Sequence, residues 1–395
     1  MPGRAMASAD VVVIGGGIAG TAVALELARR KLDVVLCEQG RTPGEGATTW
    51  SGGLLRQHHT AHCNTPLAVR SLPVFEHWAD VVGGDCGYRR TGFVMIVARQ
   101  LLGNLRHNAA VVDAAGGVTE IISGEALTQR FRALACDESE GPDLVAAYEP
   151  DGGYVDPAAC ARSLLAAAVG HGARFSEGVA VAGIVVERGR VAGVDTSLGR
   201  VCAPVVVLAA GAWSPRLAQA IGVQLPVEPR RIGIARAAIE TASDTLPAGI
   251  DDTLATYWRP AGGHPGAGVY FGVAADPAVV IDARPAPITK EEAESAGKAI
   301  GARIPAVRRV PVSGARAGFD GYTPDRHPVI GSADLPGLFM CTGFSGGGVK
   351  IAPAVARMLA AEIADGQPDP LLAPYQPGRF AAGKLIESEY PYAHS

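Results

Sequence analysis

The chain has 395 residues, 48% of them hydrophobic and 19% charged, with a formal net charge of −4 at pH 7. That length exceeds one small core, and that composition belongs to packed globular domains, so a disordered chain is excluded and about two domains are expected. No basic block supports nucleic-acid binding, and seven scattered cysteines without a Cys-x-x-Cys pair argue against a disulfide frame or thiolate zinc site and for a reducing, cytoplasmic location.

Residues 1–10 show no basic-then-apolar leader pattern. Asp10 to Ile14 is a short Val-rich run, which predicts a buried parallel strand. The apolar stretch from Val11 to Leu27 is broken by Gly15, Gly16, Gly17, Gly20 and Glu26, so it reads as a strand and a helix and not as a membrane span. Gly15, Gly17 and Gly20 form G-x-G-x-x-G, Ile18 to Arg30 carries a helical apolar pattern, and Leu32 to Cys37 is a second strand ended by Glu38. Each part has a task at a dinucleotide. Gly15 makes the tight turn, Gly17 admits a pyrophosphate close to the backbone, Gly20 lets the helix pack on the strand, and the helix N-terminus favours phosphate charge. Glu38 stands where a carboxylate bonds a ribose hydroxyl. The motif alone does not separate FAD from NAD.

Three histidines, His58, His59 and His62, precede Cys63, but no carboxylate or second cysteine completes a coordination set, so no metal is expected and the histidines read as cleft-edge or surface residues. Asp156 and Pro157 open a helix as N-cap and first helical residue. Val201 to Ala209 predicts one apolar strand ending at Ala210-Gly211. Leu338 to Thr342 predicts another, which runs into Gly343-Phe344-Ser345-Gly346-Gly347-Gly348 and then a helix from Ile351 to Ile363. No Ser-His-Asp or paired-carboxylate motif is present.

Four segments together identify a resemblance: GRTPGEGATTWSGGLLR at 40–56, VVVLAAGAWS at 205–214, GFDGYTPDRHPVIG at 318–331 and GLFMCTGFSGGGVKIAP at 337–353. In this order they resemble the D-amino-acid oxidase superfamily of flavoenzymes, which includes glycine oxidase, monomeric sarcosine oxidase, the β subunit of heterotetrameric sarcosine oxidase and dimethylglycine dehydrogenase. The resemblance implies an α/β fold of glutathione-reductase-like, two-domain type. A discontinuous Rossmann-type FAD domain would come from residues 1–84, 151–226 and 311–395, and a mixed-sheet α+β substrate domain from 85–150 and 227–310.

The same resemblance implies that FAD is held by Gly15, Gly17, Ile18, Ala19 and Gly20, then by Glu38, Gln39 and Arg41. Thr48, Thr49, Ser51, Gly52, Gly53 and Leu54 follow, with Val181, Ala210, Gly211 and Trp213. The Gly-rich turn completes the set with Gly343, Phe344, Ser345, Gly346, Gly347, Gly348, Val349 and Lys350. Arg56 and Lys350 match the carboxylate ligands of monomeric sarcosine oxidase, and a planar guanidinium suits that task. Tyr257 is the preferred pocket-wall residue because it sits at a predicted strand end. Trp258, Tyr270 and Phe271 are further wall candidates, although sheet packing explains each as well.

Two departures from the family stand out. Asp320 occupies the place where amino-acid oxidases such as glycine oxidase carry a carboxylate-binding Arg. The attachment nucleophiles of covalent relatives, a Cys near Gly318 and a His near Ser51, are missing, so non-covalent FAD is expected. The implied reaction is hydride transfer from a C–H beside an amine nitrogen of an amino acid or N-alkyl amino acid. A 2-hydroxy-acid oxidoreductase and a flavin-carrying subunit of a larger dehydrogenase remain alternatives. No lysine lies between Lys31 and Lys290, where monomeric sarcosine oxidase has its oxygen-activating lysine, so oxygen or another electron acceptor stays open.

Overall fold

The computed structural model describes residues 7–41, 46–136, 143–239, 246–262, 268–274, 279, 281 and 285–394. The Val-rich run forms the strand Val11–Ile14 at the heart of a six-stranded sheet. Val205–Leu208 flanks it on one side and Val34–Glu38 on the other, both parallel. Leu338–Thr342 and Arg174–Glu177 extend the sheet in parallel, and Val329–Ser332 closes one edge antiparallel. Side chains of a strand alternate between faces. Val11 and Val13 therefore enter the core under the helices Ile18–Arg29, Pro157–Gly170 and Gly348–Asp365. Val12 and Ile14 enter a second core, shared with a four-stranded sheet of Ala7–Ser8, Gly199–Cys202, Arg190–Thr196 and Val181–Glu187. Coverage on both faces is why this strand is apolar throughout. The expected cap of the second helix is present: Asp156 Oδ1 accepts from Ala159 N at 3.0 Å, with Pro157 in the first turn.

One expected strand is two. The run Val201 to Ala209 divides into Gly199–Cys202, in the four-stranded sheet, and Val205–Leu208, in the parallel sheet. Pro204 lies between them and has no N–H to give a ladder. The chain thus passes from one sheet to the other within two residues.

An eight-stranded mixed sheet forms the other half. Its order is Val312–Tyr322, Glu228–Ala237, Val269–Val273, Thr256–Pro260, Ala248–Asp251, Phe93–Ala98, Leu144–Glu149 and Glu120–Ser123. Only the pair Ala248–Asp251 with Phe93–Ala98 is parallel. The helix Lys290–Arg303, opened by a capping box of Thr289 and Glu292, covers one face. Trp258 and Phe271 are fully buried in the core beneath it, so they pack the sheet and do not wall a pocket. Val312–Tyr322, which belongs to the third segment expected to carry the nucleotide, runs along Glu228–Ala237 at the edge of this sheet.

Buried ion pairs fasten the periphery. Arg379 Nε and Nη2 reach the Asp325 carboxylate at 2.8 and 3.0 Å, with both side chains almost wholly buried, and Ile386 N donates to the same carboxylate. Removing one partner leaves a buried charge uncompensated. Arg379→Met is expected to cost roughly 3–5 kcal/mol in urea unfolding of the protein with its cofactor. A loss within experimental error of zero would show that Asp325 finds other partners.

Candidate active site

The six-stranded and eight-stranded sheets meet over one cavity of about 1220 Å³. At one end lies the first glycine turn. Gly15 has φ +110°, and a Cβ there would stand 2.5 Å from Ala209 O; a Cβ on Gly20 would stand 1.9 Å from Gly15 O. Only glycine lets turn, helix and neighbouring strand approach this closely. Gly17 caps the helix without any side-chain bond, and Ile18 N donates to Thr48 Oγ1 at 3.0 Å. Glu38 is held in place: Oε2 accepts from Gly16 N at 2.7 Å and Oε1 from Gly40 N at 2.8 Å. Each oxygen keeps a lone pair for another donor. An uncapped helix N-terminus beside a fixed carboxylate suits the pyrophosphate and ribose of a dinucleotide.

The wall continues through Gln39, Val181, Ala210, Gly211 and Trp213, then Thr48 and Ser51 to Leu54. Three of the expected ligands are not on it. Gly20 packs against the turn, Arg41 is exposed, and Thr49 sits in the short helix Ala47–Trp50. The second glycine turn, Gly343 to Lys350, lies wholly on the wall. Its helix starts at Gly348, three residues before the expected Ile351, and Gly347 caps it without a side-chain bond. That earlier start places Lys350 inside the first turn and buries it.

At the far end the cavity is a charged chamber. Arg56 is half-buried, donates through Nη1 to the His58 carbonyl, and leaves its covered Nε without a partner among the described residues. Lys350 Nζ donates only weakly, to Gly347 O at 3.4 Å; burial, then Arg56, depress its ammonium to about 7. The loop before them is clamped by Glu149, which accepts from Gln57 N at 2.7 Å and His58 N at 2.5 Å. Burial pushes the Glu149 carboxyl up to about 7, against the pull of those two N–H groups and of Arg56.

Of the cleft-edge and surface readings His59 takes the first, while His58 is buried and His62 half-buried. His58 is 1% exposed and its Nε2 meets the Tyr392 hydroxyl at 2.6 Å. His59 lines the chamber with Nε2 unpartnered. Burial, then Arg56, hold both imidazoles neutral. Nothing local signals this, because Tyr392 lies 334 residues away. Glu149 and the segment Ile386 to His394, which contributes Ile386, Ser388, Ala393 and His394 to the wall, are likewise unforeseen. Asp252 fixes that segment by accepting from Ala393 N and His394 N at 2.8 Å each.

Tyr257 borders the chamber, its ring held between two glycines. A Cβ on Gly272 would lie 2.1 Å from the ring and one on Gly52 2.9 Å. Tyr270 points elsewhere, stacking with Arg259. Asp320 lines the cavity and is buried; burial pushes its carboxyl up to about 6 although Gly321 N and Gly346 N donate to it. The place where covalent relatives carry a cysteine is covered: a Cβ on Gly318 would lie 1.7 Å from the Trp50 ring. The two thiols on the wall, Cys37 and Cys341, are pushed up by burial to about 11 and about 12. Among the described residues no group of three His, Cys, Asp or Glu could hold a metal, and no helix is long and apolar enough to cross a membrane.

A dinucleotide cradle opening into a small polar chamber defines an oxidoreductase that presents a bound cofactor to a small molecule. The family follows from the whole chain: residues 10–362 match the model of DAO, FAD dependent oxidoreductase, and the protein belongs to that family. It is 27% identical over 385 residues to the bifunctional protein ThiO/ThiG of Trichormus variabilis, covering 94% of this chain and 55% of that one. The sarcosine oxidase subunit beta of Rhizobium meliloti is 26% identical over 392 residues, covering 96% and 90%. Among solved structures, the L-proline dehydrogenase of P. horikoshii superposes with TM-score 0.86 at 26% identity, covering 96% of this chain and all of that one. The chain spans about half the length of the first curated relatives it matches.

The two backbone bonds to Glu38 make it the hinge of the nucleotide end. Glu38→Ala is expected to weaken FAD binding about tenfold or more, the loss of charged hydrogen bonds. Fluorescence titration of stripped protein with FAD measures this; unchanged affinity would remove Glu38 from the site.

Proposed function

We propose that this protein oxidises the C–N bond of an amino acid or N-alkyl amino acid. One observation carries the reading: two cations, the half-buried Arg56 and the buried Lys350, border one cavity, and among the described residues neither forms an ion pair. Cations drawn into a cavity without an ion-pair partner call for an anionic ligand. A sarcosine oxidase subunit and an L-proline dehydrogenase among the relatives support an amino-acid carboxylate as that anion.

The residues divide the work. We assign Glu38 to the ribose, the helix starting at Ile18 to the pyrophosphate, and the Gly343 to Lys350 turn to the ring end of FAD. FAD, when bound there, supplies the acceptor for a hydride from the carbon beside the amine. Arg56 holds the substrate carboxylate through its fork and Lys350 adds a point charge. Neutral His59 offers its free Nε2 as one more hydrogen-bonding group. Tyr257, fixed between Gly52 and Gly272, closes the side of the chamber and keeps water from the reacting carbon.

The flavin is non-covalent in this reading, because Trp50 covers Gly318 and burial keeps the Cys37 and Cys341 thiols protonated. Acid precipitation is then expected to release intact yellow FAD into the supernatant; flavin remaining in the pellet would contradict it. Anaerobic bleaching with N-methyl amino acids, D-amino acids, imino acids and hydroxy acids tests the reaction. Bleaching by hydroxy acids alone would overturn the amine assignment. On the best amine, Arg56→Ala is expected to lower kcat/KM by roughly 30-fold or more with the flavin spectrum unchanged. Arg56→Lys should restore part of the loss, since charge returns without the fork.

A further inference from the structure

Arg56 borders the cavity, whereas His58 and Tyr392 lie outside its lining. Both are buried, and they meet there: the Tyr392 oxygen lies 2.6 Å from His58 Nε2, with the two rings stacked at 5.9 Å. His58 is held at three atoms. Its N–H donates to Glu149, its ring meets the Tyr392 hydroxyl, and its carbonyl accepts from Arg56 Nη1. Nδ1 of His58 has no partner among the described residues, so the hydroxyl is the hydrogen-bonding anchor of that ring. Burial, above all, raises the Tyr392 phenol, which stays neutral although Arg56 lies close enough to favour its ionised form.

The hydroxyl has a fixed place independently of His58. Asn108 Nδ2 donates to the Tyr390 carbonyl and to the Tyr392 oxygen at 2.9 Å each, and His62 Nε2 donates to Asn108 Oδ1 at 3.0 Å. A carbonyl only accepts, so the Tyr390 carbonyl fixes which way the amide faces. Asn104 Nδ2 donates to the Pro391 carbonyl at 2.8 Å, and Asp252 accepts from Ala393 N and His394 N. The backbone is thus tied on both sides of Tyr392 by bonds that do not involve its side chain. The hydroxyl–imidazole bond is not needed to dock this segment, and what it fixes is His58.

We propose that the Tyr392 hydroxyl aims Arg56 at the substrate carboxylate by fixing His58, whose carbonyl holds the guanidinium. This rests on the carboxylate-binding reading of Arg56 and extends it. An arginine side chain is long and flexible, and its planar fork pairs a carboxylate bidentately only when it is turned to face it. The His58 carbonyl sets that turn, and the carbonyl in turn depends on how residue 58 is held. Without the hydroxyl the imidazole has no anchor, its backbone is held by the Glu149 bond alone, and the fork loses its aim. Tyr392 is therefore a positioning residue, supplied to the site from 336 residues further along the chain than Arg56.

Two ligands of nearly equal shape separate aiming from plain packing: propionate, and its uncharged counterpart propionamide. Perturbation of the bound flavin's absorbance in the holoprotein reads the affinity of both. Tyr392→Phe keeps the stacked ring and removes only the hydroxyl. It is expected to weaken propionate by about threefold to tenfold, the effect of one hydrogen bond, and to leave propionamide unchanged. Arg56→Ala should weaken propionate by itself, and adding Tyr392→Phe to it should cost nothing more, because the hydroxyl acts through Arg56. His58→Phe cuts the same bond from the other side and keeps the carbonyl of residue 58. It is expected to behave as Tyr392→Phe does, and it decides the matter if that variant fails to hold flavin. Unchanged propionate affinity in Tyr392→Phe, with a loss in Arg56→Ala, overturns the proposal and leaves the carboxylate reading standing. Equal losses for propionate and propionamide overturn it, and so does a Tyr392→Phe loss that persists undiminished beside Arg56→Ala. Unchanged propionate binding in Arg56→Ala removes the carboxylate reading of Arg56 and this inference with it.

Discussion

Two positive charges, on the half-buried Arg56 and the buried Lys350, set the terms for everything around them. Burial of a cation costs several kcal/mol even after the surroundings relax, and two cations in one chamber raise that cost for each other. The effect is visible on Lys350, whose ammonium is depressed to about 7 by burial and by Arg56. It is visible again on His58 and His59, which stay neutral beside the same field. The chain answers with groups that orient the cations but leave them unneutralised. Glu149 grips the loop through Gln57 N and His58 N, and Arg56 grips it from the other side through the His58 carbonyl. The carboxylate nearest the guanidinium is thus spent on the backbone, and the guanidinium keeps Nε free. Glu149 spends its bonds on the backbone of the loop and among the described residues makes no ion pair with Arg56.

The wall opposite these charges comes from the far end of the chain. Tyr392 places its hydroxyl between His58 and Asn108, Asp252 holds the N–H groups of Ala393 and His394, and Arg379 with Asp325 anchors the approach to that segment. His58, Asn108, Tyr392, Asp252 and the side chains of Arg379 and Asp325 are buried, while Ala393 and His394 are exposed. Each bonds a partner distant in sequence, as buried polar groups mostly do, although His58 Nδ1 has none among the described residues. A segment tied down in this way excludes water from the chamber, and electrostatic interactions inside gain strength as water leaves.

What the sequence made legible was what it encodes locally. The strand, turn, helix and acid from Val11 to Glu38 fall within one short stretch, and their chemistry is dictated by spacing. Asp156 before Pro157 is a local signal of the same kind, and so is the glycine run before the last long helix. The break at Pro204 was legible in principle, since proline cannot serve a ladder, but an unbroken apolar run outweighed it. Glu149 was not legible. Its meaning lies in Gln57 and His58, about 90 residues upstream, and an isolated Glu near a turn looks like any surface acid. The roles of Tyr257 and Trp258 were undecidable from sequence for a related reason. Strand alternation puts neighbours on opposite faces, but which face looks into the chamber depends on Gly52 and Gly272, which come from different parts of the fold.

The stretch Gly318 to Tyr322 is where these separate constraints meet. It ends an edge strand of the eight-stranded sheet, yet each residue touches the nucleotide half or the chamber. Gly318 lies under the Trp50 ring, and Phe319 bridges Gly46 and meets Trp213 edge-on at 6.0 Å. Asp320 reaches the Gly346 turn, while Gly321 passes so close to Gly211 and Ala212 that a Cβ would stand 3.3 Å from their backbone. Tyr322 carries Arg230 on its ring and so keeps that cation away from Asp320. A Cβ at 318 would meet the Trp50 ring at 1.7 Å and one at 321 the Val227 side chain at 2.8 Å, which leaves Phe319, Asp320 and Tyr322 as the positions that carry side chains. Phe319 faces the packed side and must stay apolar. Asp320 and Tyr322 both line the cavity, and Asp320 also accepts from Gly346 N, so a change of side chain at 320 alters the charge presented to the cavity and removes one bond between this strand and the second glycine turn.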